Sequence, residues 1–448
     1  MKKLRIHIPT ICQEEIKYSF HCLLTHFLGL QIEFIDSEDD QYYRIEGHKG
    51  KSLLIENHFF QNPNPKELYQ LSKIPKEVSS KILAFSKMEF EHICLYGKPE
   101  LEVNPKEINL KSDIIAASFF MLSRWEEWIY EGELDRHERF PLEASLSFKS
   151  HFYQRPLVNE YVELFIALLN ELGYSISNPN KYKAVISYDI DMVQKWRGIK
   201  SFLQSIFLNL KRKDFGRIIN DKLSYFGNTV GLNKDPYFSF DFILDSLKNK
   251  KVSAILYFKS GVSHPRFDKN IYNVSDPKIK EVFKTLHTEN VEIGLHPSYH
   301  TFDNKEKMRE EFEALQIANS NHNLVNCRQH YLRFSIPETW RIMDEIGFKN
   351  DSSMVYSKEA GFRCGVCYSF PVFDCENRKM LSLQESPLIF METPILEDED
   401  KIINQVEKLT GIIKKYNGEN IVLWHNNNLH YKKHRRSYER VLDIIQGN

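Results

Sequence analysis

Hydrophobic positions along the chain fall into short strand-like runs, with stretches of helical spacing between many of them. Up to about residue 110 the runs 4–8, 31–35, 52–55 and 92–95 read as strands between polar loops, and Asn62-Pro63-Asn64-Pro65 is a breaker. The segment 112–130 places Ile114, Ile115, Ala117, Phe119, Phe120, Leu122 and Trp125 at helical spacing, and a further helix is predicted over 159–172, after Pro156. Asn178-Pro179-Asn180 marks a boundary. Beyond it apolar runs recur at 184–189, 253–258, 291–295, 325–331, 388–391 and 420–425, and helical spacing occupies 239–248, 277–287, 305–319, 337–346 and 403–416. Strand followed by helix, repeated, implies a parallel sheet with helices outside it. Six or more such units favour a distorted β/α barrel over an open sheet. The expected fold class is therefore α/β: a smaller α+β domain over 1–178, then a β/α barrel over 179–448.

One segment interrupts the rhythm. Residues 192–236 mix Lys195, Arg197, Lys200, Lys211, Arg212, Lys213 and Arg217 with Phe202, Leu203, Ile206, Phe207 and Leu210. A basic amphipathic stretch, here 197–217, can lie on an anionic membrane surface. The preferred reading is the plainer one, a helical lid or packing element with a solvated basic face.

The chain has 448 residues, 42% hydrophobic and 27% charged, which suits more than one globular domain with a real core. Its net charge of -1 gives no overall attraction to nucleic acid or anionic lipid. No apolar window approaches the roughly 18 residues of a membrane span, and the basic N-terminus has no apolar region behind it, so a cytoplasmic protein is expected. Seven scattered cysteines suit reduced thiols, and Cys364-Gly365-Val366-Cys367 lacks the second pair of a zinc knuckle. The 31 Phe and 22 Tyr suit sugar-stacking surfaces as well as a core.

The candidate chemistry gathers at strand ends. Asp189 and Asp191, two apart, would share one face of a strand, and like charges so close call for a cation or a shared proton. The alternative is a pair of helix-capping aspartates. His296 and His300 follow an apolar run at a spacing that meets on one face of a helical turn; they could also be unrelated surface histidines. Asp191, His296 and His300 would supply the three protein ligands of a catalytic metal site, and Asp189 would be left to deprotonate water. His425 ends the last run and could donate a proton to a leaving group, or be a satisfied core histidine. Arg328 could keep a neighbouring carboxylate ionised, or form a structural salt bridge. The set reads as a metal-dependent hydrolase.

The order Asp-x-Asp, His-x-x-x-His, Arg-x-x-Tyr, Leu-x-His resembles the polysaccharide deacetylases, the NodB-homology group of carbohydrate esterase family 4, over roughly residues 180–448. Arg124-Trp125-Glu126-Glu127-Trp128 and Asp135-Arg136-His137-Glu138-Arg139-Phe140 resemble an uncharacterised domain often found ahead of bacterial deacetylases. The resemblance implies a distorted β/α barrel, a divalent metal (usually zinc, with cobalt, manganese or nickel as alternatives) and hydrolysis of an acetyl group on an acetylated sugar or polysaccharide. It makes Asp189 the general base, Asp191, His296 and His300 the metal ligands, and Arg328 the group steadying the base. It also assigns the oxyanion to the backbone N–H of Tyr331 and general acid catalysis to His425. The chain departs from the pattern in Asp189-Ile190-Asp191, where Asp-Asp-Gly is common, and in Gln329-His330, where the arginine motif has Pro-Pro. Asp351 is a candidate for the family's aspartate–tryptophan motif. A metal-dependent hydrolase of a small non-sugar amide and a non-catalytic glycan-binding protein are the alternatives.

Overall fold

A computed structural model describes all residues except 1, 2, 62, 63, 65, 66, 86, 87, 269–271, 290, 321 and 448; positions 62, 63 and 65 of the expected breaker thus lie outside the described residues. The architecture is mixed α/β, in two units. The first comprises Met1–Tyr182, Leu332–Ile389 and Gly411–Asn420, and the second Lys183–Tyr331, Phe390–Thr410 and Ile421–Asn448. The first crossing lies just beyond Asn178-Pro179-Asn180. The two returns carry no signal in the hydrophobic pattern, because no breaker accompanies them.

The first unit opens with β1 (Leu4–Pro9), α1 (Gln13–Phe20), β2 (Ile32–Ser37), β3 (Tyr42–Glu46), β4 (Ser52–Glu56), β5 (Ser79–Phe85), β6 (Met88–Cys94), β7 (Gly97–Val103) and β8 (Glu107–Ser112). Six of these form a sheet in the order β2-β1-β3-β4-β8-β7, while β5 and β6 pair as a separate ribbon. The predicted helix over 112–130 is two helices, α2 (Ile114–Ser123) and α3 (Trp125–Trp128), broken at Arg124, which adopts φ 53°. Burial explains the break. Arg124 is buried, and the left-handed turn lets its Nε reach Glu127 at 2.9 Å and its Nη2 reach Glu126 at 3.4 Å. Asp113 caps α2, accepting from Ala116 N–H at 2.9 Å, and every residue of α2 is buried. The short α4 (Leu146–Lys149) and the longer α5 (Leu157–Glu171) follow.

In the second unit β9 (Lys183–Ile190) carries two rows. Ala184, Ile186, Tyr188 and Ile190 are buried apolar positions, and Ser187 and Asp189 lie on the other face, as a period of two requires. Next come the hairpin α6 (Ile199–Lys211) and α7 (Phe215–Thr229), then α8 (Phe240–Leu247), β10 (Ser253–Phe258), α9 (Pro277–Thr288), β11 (Glu292–Leu295), α10 (Lys305–Ala318) and β12 (Asn326–Cys327). Asp276 and Asn304 cap α9 and α10. The run predicted as a strand over 325–331 is strand only at Asn326–Cys327.

The chain then returns to the first unit as α11 (Glu338–Ile346), β13 (Asn350–Asp351), β14 (Phe370–Asp374) and β15 (Lys379–Glu385), with strand order β14-β15-β13. This return shares a core with the opening segment. Tyr18 Oη donates to the Pro371 carbonyl at 2.8 Å, its ring lies 4.9 Å from that of Phe373, and Arg378 Nε donates to Glu15 at 2.7 Å. The chain closes with β16 (Phe390–Met391), α12 (Glu399–Lys415), β17 (Glu419–His425) and α13 (Lys432–Gln446).

The second unit's strands run in the order β12-β11-β10-β9-β17-β16. β9, β10, β11 and β12 are parallel, with Ile190 paired to Phe258 and Phe258 to Leu295, and Leu295 to Cys327. Their C-terminal ends are therefore level. The seven cysteines are buried, including Cys364 and Cys367.

Candidate active site

Level strand ends bring their next residues together: Asp191 after β9, Lys259 after β10, His296 after β11 and Arg328 after β12. The carboxyl ends of parallel strands are where α/β sheets place ligands. Gly294 makes room beneath them. A Cβ there would fall 2.5 Å from the ring of Tyr257, whose face supports the Arg328 guanidinium at 4.4 Å.

Arg328 is fully buried and donates from Nη1 to Ser187 Oγ at 2.8 Å and to Asp189 Oδ1 at 3.2 Å. Asp189 turns its other oxygen, Oδ2, toward His296 Nε2 at 3.6 Å. The expected contact between Asp189 and Arg328 is thus present.

Among the described residues, one group of side chains could hold a metal ion: Asp191, His296 and His330, whose ligand atoms lie within 4.8 Å of one another. Asp191 Oδ1 stands 3.6 Å from His296 Nε2 and 3.4 Å from His330 Nε2. Ligands about 2.1 Å from a tetrahedral zinc are separated by roughly these distances. Both rings are tied at the opposite nitrogen. His296 Nδ1 lies 2.6 Å from the Arg328 carbonyl, and His330 Nδ1 lies 3.0 Å from Asp268 Oδ1. A proton on each Nδ1 leaves each Nε2 lone pair facing Asp191, the arrangement in which histidines bind metal. Asp191 Oδ1 is buried and accepts no hydrogen bond. A buried carboxylate oxygen without a donor is costly, and a cation would satisfy it. The donor set fits a divalent metal.

Asp191 and His296 are two of the three candidate ligands read from the sequence. The third member of the group is His330, and His300 lies outside it. The i, i+4 spacing aligns two side chains only on a helix, and the chain from His296 to Asn304 is not helical; α10 starts at Lys305. The His300 backbone N–H donates to Ser263 Oγ at 2.7 Å, and its ring lies 5.3 Å from that of His264.

Charges around the group are strongly arranged. Burial would raise the Asp191 carboxyl, but His330, His296, His425 and Lys259 together outweigh it and hold the group well below the usual carboxylate range. Burial, reinforced by His330, lowers His296 to about 4 against the opposing pull of Asp189, so its imidazole is neutral. Asp268, which sequence reasoning missed, is a buried carboxylate. Beyond His330 it accepts from Lys259 Nζ at 3.3 Å, His264 N–H at 2.8 Å and Ser263 N–H at 2.9 Å. No motif marks it in the sequence.

His425 binds its own carboxylate. Its Nδ1 lies 2.9 Å from Glu392 Oε1, and its backbone N–H donates to the same oxygen at 2.8 Å. Burial lowers its affinity for a proton, but Glu392, with Asp191 and Asp189, more than offsets this and pushes it up to about 10. Glu392 is fully buried and is the first residue after β16. The strand-end rule applied to 388–391 would have pointed to it. Thr393, 3.1 Å from His425 Nδ1, begins one wall of a cavity of about 650 Å³, whose lining includes Asn428, His430, Arg212 and Arg217.

Tyr331 sits at φ 59°, a region that costs a non-glycine residue about 1–2 kcal/mol. Its ring packs 5.3 Å from Phe267 and 5.5 Å from Tyr299. Asp351 belongs to the first unit, where it accepts from Ser353 Oγ at 2.5 Å and lies beside Glu385.

Residues 4–174 match a family of unknown function, DUF7033. No curated protein matches the sequence. In structure the chain is similar to a protein of Mycobacterium smegmatis assigned as a polysaccharide deacetylase, at 14% identity over 60% of this chain and 86% of that one, with a TM-score of 0.38. It is also similar to one so assigned in Pseudomonas aeruginosa PAO1 (13% identity, 59% and 83% covered, TM-score 0.34) and to the polysaccharide deacetylase Bc1974 of Bacillus cereus (11%, 46% and 80%, 0.26).

Proposed function

We propose that the second unit is a metal-dependent hydrolase that removes the acetyl group from an acetylated sugar, on a scaffold of the distorted β/α barrel type. The observation that carries the reading is the buried, donor-less Asp191 Oδ1 facing the Nε2 atoms of His296 and His330, each ring tied at Nδ1. In this reading His330 takes the ligand position that spacing had given to His300. A divalent cation held by Asp191, His296 and His330 would supply Lewis acidity toward the acetyl carbonyl and toward water.

The chain's own residues do the rest. Asp189, oriented by Arg328, takes the proton of the attacking water. The backbone N–H of Tyr331 donates to the carbonyl oxygen as charge develops there. His425, held protonated by Glu392, gives its proton to the sugar nitrogen as it leaves. The sugar extends into the cavity that begins at Thr393. The order of these residues along the chain, which resembles the deacetylases, supports a sugar amide over other substrates.

The test is metal content and acetate release from N-acetylhexosamine oligomers, measured on the full chain and on His330→Ala. Loss of both in the variant is expected. Full metal content and full acetate release in His330→Ala would overturn the reading.

A further inference from the structure

The α6–α7 hairpin is built with its polar side inward. Between the helices the buried Asp221 accepts from Lys195 Nζ at 2.5 Å, Ser205 Oγ at 2.5 Å and Asn209 Nδ2 at 2.9 Å, beside a stacked Phe202–Tyr225 pair with ring centroids 4.4 Å apart. The outer side is apolar. On α6, Ile199, Leu203, Phe207 and Leu210 recur at steps of four, four and three, and all are exposed. Phe215, Ile219, Leu223 and Phe226 do the same on α7, and the exposed Val230 follows at its C-terminal end. Phe207 and Phe215 are each 67% exposed. Of the nineteen large hydrophobic side chains exposed among the described residues, eleven lie between Ile199 and Leu232. A helix pair that packs on a protein core turns its apolar stripe inward. An exposed stripe of this extent marks an interaction surface.

Charge identifies the partner. Residues 192–236 hold nine Lys and Arg against three Asp, in a chain whose net charge is -1. Lys200, Lys211, Arg212, Lys213 and Lys222 are exposed beside the apolar row. A second copy of the same face would bring like charges together, whereas an anionic lipid surface accepts both the apolar row and the cations. No helix among the described residues is long and apolar enough to cross a membrane, so the fit is with the interface. We propose that the α6–α7 hairpin docks this protein on an anionic membrane surface, with its apolar row sunk among the acyl chains and its Lys and Arg side chains against the headgroups. This does not depend on the hydrolase reading.

The test is flotation of the whole 448-residue chain with vesicles of phosphatidylcholine alone and of phosphatidylcholine with phosphatidylglycerol. The protein is expected to float with the anionic vesicles and to be released by salt. The double variant Phe207→Ser, Phe215→Ser is expected to lower the partition at least about tenfold. Lys211→Glu with Lys213→Glu is expected to lower it by about tenfold or more on anionic vesicles only. Unchanged circular dichroism and thermal melting would show that the variants fold. Failure of the unaltered protein to float with anionic vesicles overturns the proposal, as does undiminished flotation of both variants. A concentration-dependent dimer that the serine variant abolishes, with no flotation of the unaltered protein, overturns it in favour of self-association.

Discussion

His330 Nδ1 and Asp268 Oδ1 are 3.0 Å apart, a contact that accompanies the turn of the ring's Nε2 toward Asp191, with Lys259 Nζ 3.3 Å from the same Nδ1. Removing a carboxylate that orients a metal-binding histidine typically weakens metal affinity 10–100-fold. Asp268→Ala is therefore expected to raise the dissociation constant for zinc by about that factor, read by competition with a chromophoric chelator. An unchanged constant would mean that His330 does not need the tether.

His330→Ala and His300→Ala separate the two candidate ligands. The first is expected to abolish stoichiometric metal binding, and the second to leave it near that of the unaltered protein, by elemental analysis after dialysis. The reverse result would restore the ligand set implied by spacing.

Asp189→Asn keeps the size of the side chain and its contact with Arg328 but removes the proposed base. Metal content is expected to persist while turnover falls by about 10²–10⁴-fold. Retention of full activity would take Asp189 out of the chemistry.

The His425–Glu392 pair predicts a pH dependence. Burial works against the charged imidazole, but Glu392, Asp191 and Asp189 raise it to about 10, above the unfolded value of ~6.5. Its contribution to stability is thus complete below about pH 6.5 and is lost as pH rises through about 10. Glu392→Gln removes the nearest raising charge, so the alkaline limb of kcat/KM is expected to move to lower pH. A profile that does not move would show that Glu392 does not control His425.

In the first unit, Glu127 accepts from Arg363 Nε at 2.9 Å and from Arg124 Nε at 2.9 Å, all three side chains being buried. Glu127→Ala would leave two buried guanidinium groups without their shared partner. A loss of about 3–5 kcal/mol in the free energy of unfolding is expected on denaturant titration.

What could be read from the sequence follows from geometry. Asp189 and Asp191 were legible because strand side chains alternate strictly, and His296 and Arg328 because each follows a short apolar strand. His330 was not legible, because the pattern continued the strand through 331 whereas the backbone leaves it at Cys327. Its partner Asp268 lies in a segment with no periodicity at all. The break at Arg124 was hidden for a related reason: apolar spacing runs through it, and only the burial of its ion pairs reveals the turn. The inward polarity of the hairpin was also invisible, since a moment along one helix does not say which side meets its neighbour.

The threading of the first unit has a consequence for biosynthesis. Tyr18, waiting for Pro371 and Phe373, cannot complete its surroundings until most of the polypeptide has left the ribosome. The whole second unit up to Tyr331 is made in the interval. Severing the polypeptide at residue 182 would strand Phe373 and Arg378 away from Tyr18 and Glu15, so neither half is expected to be stable when produced alone.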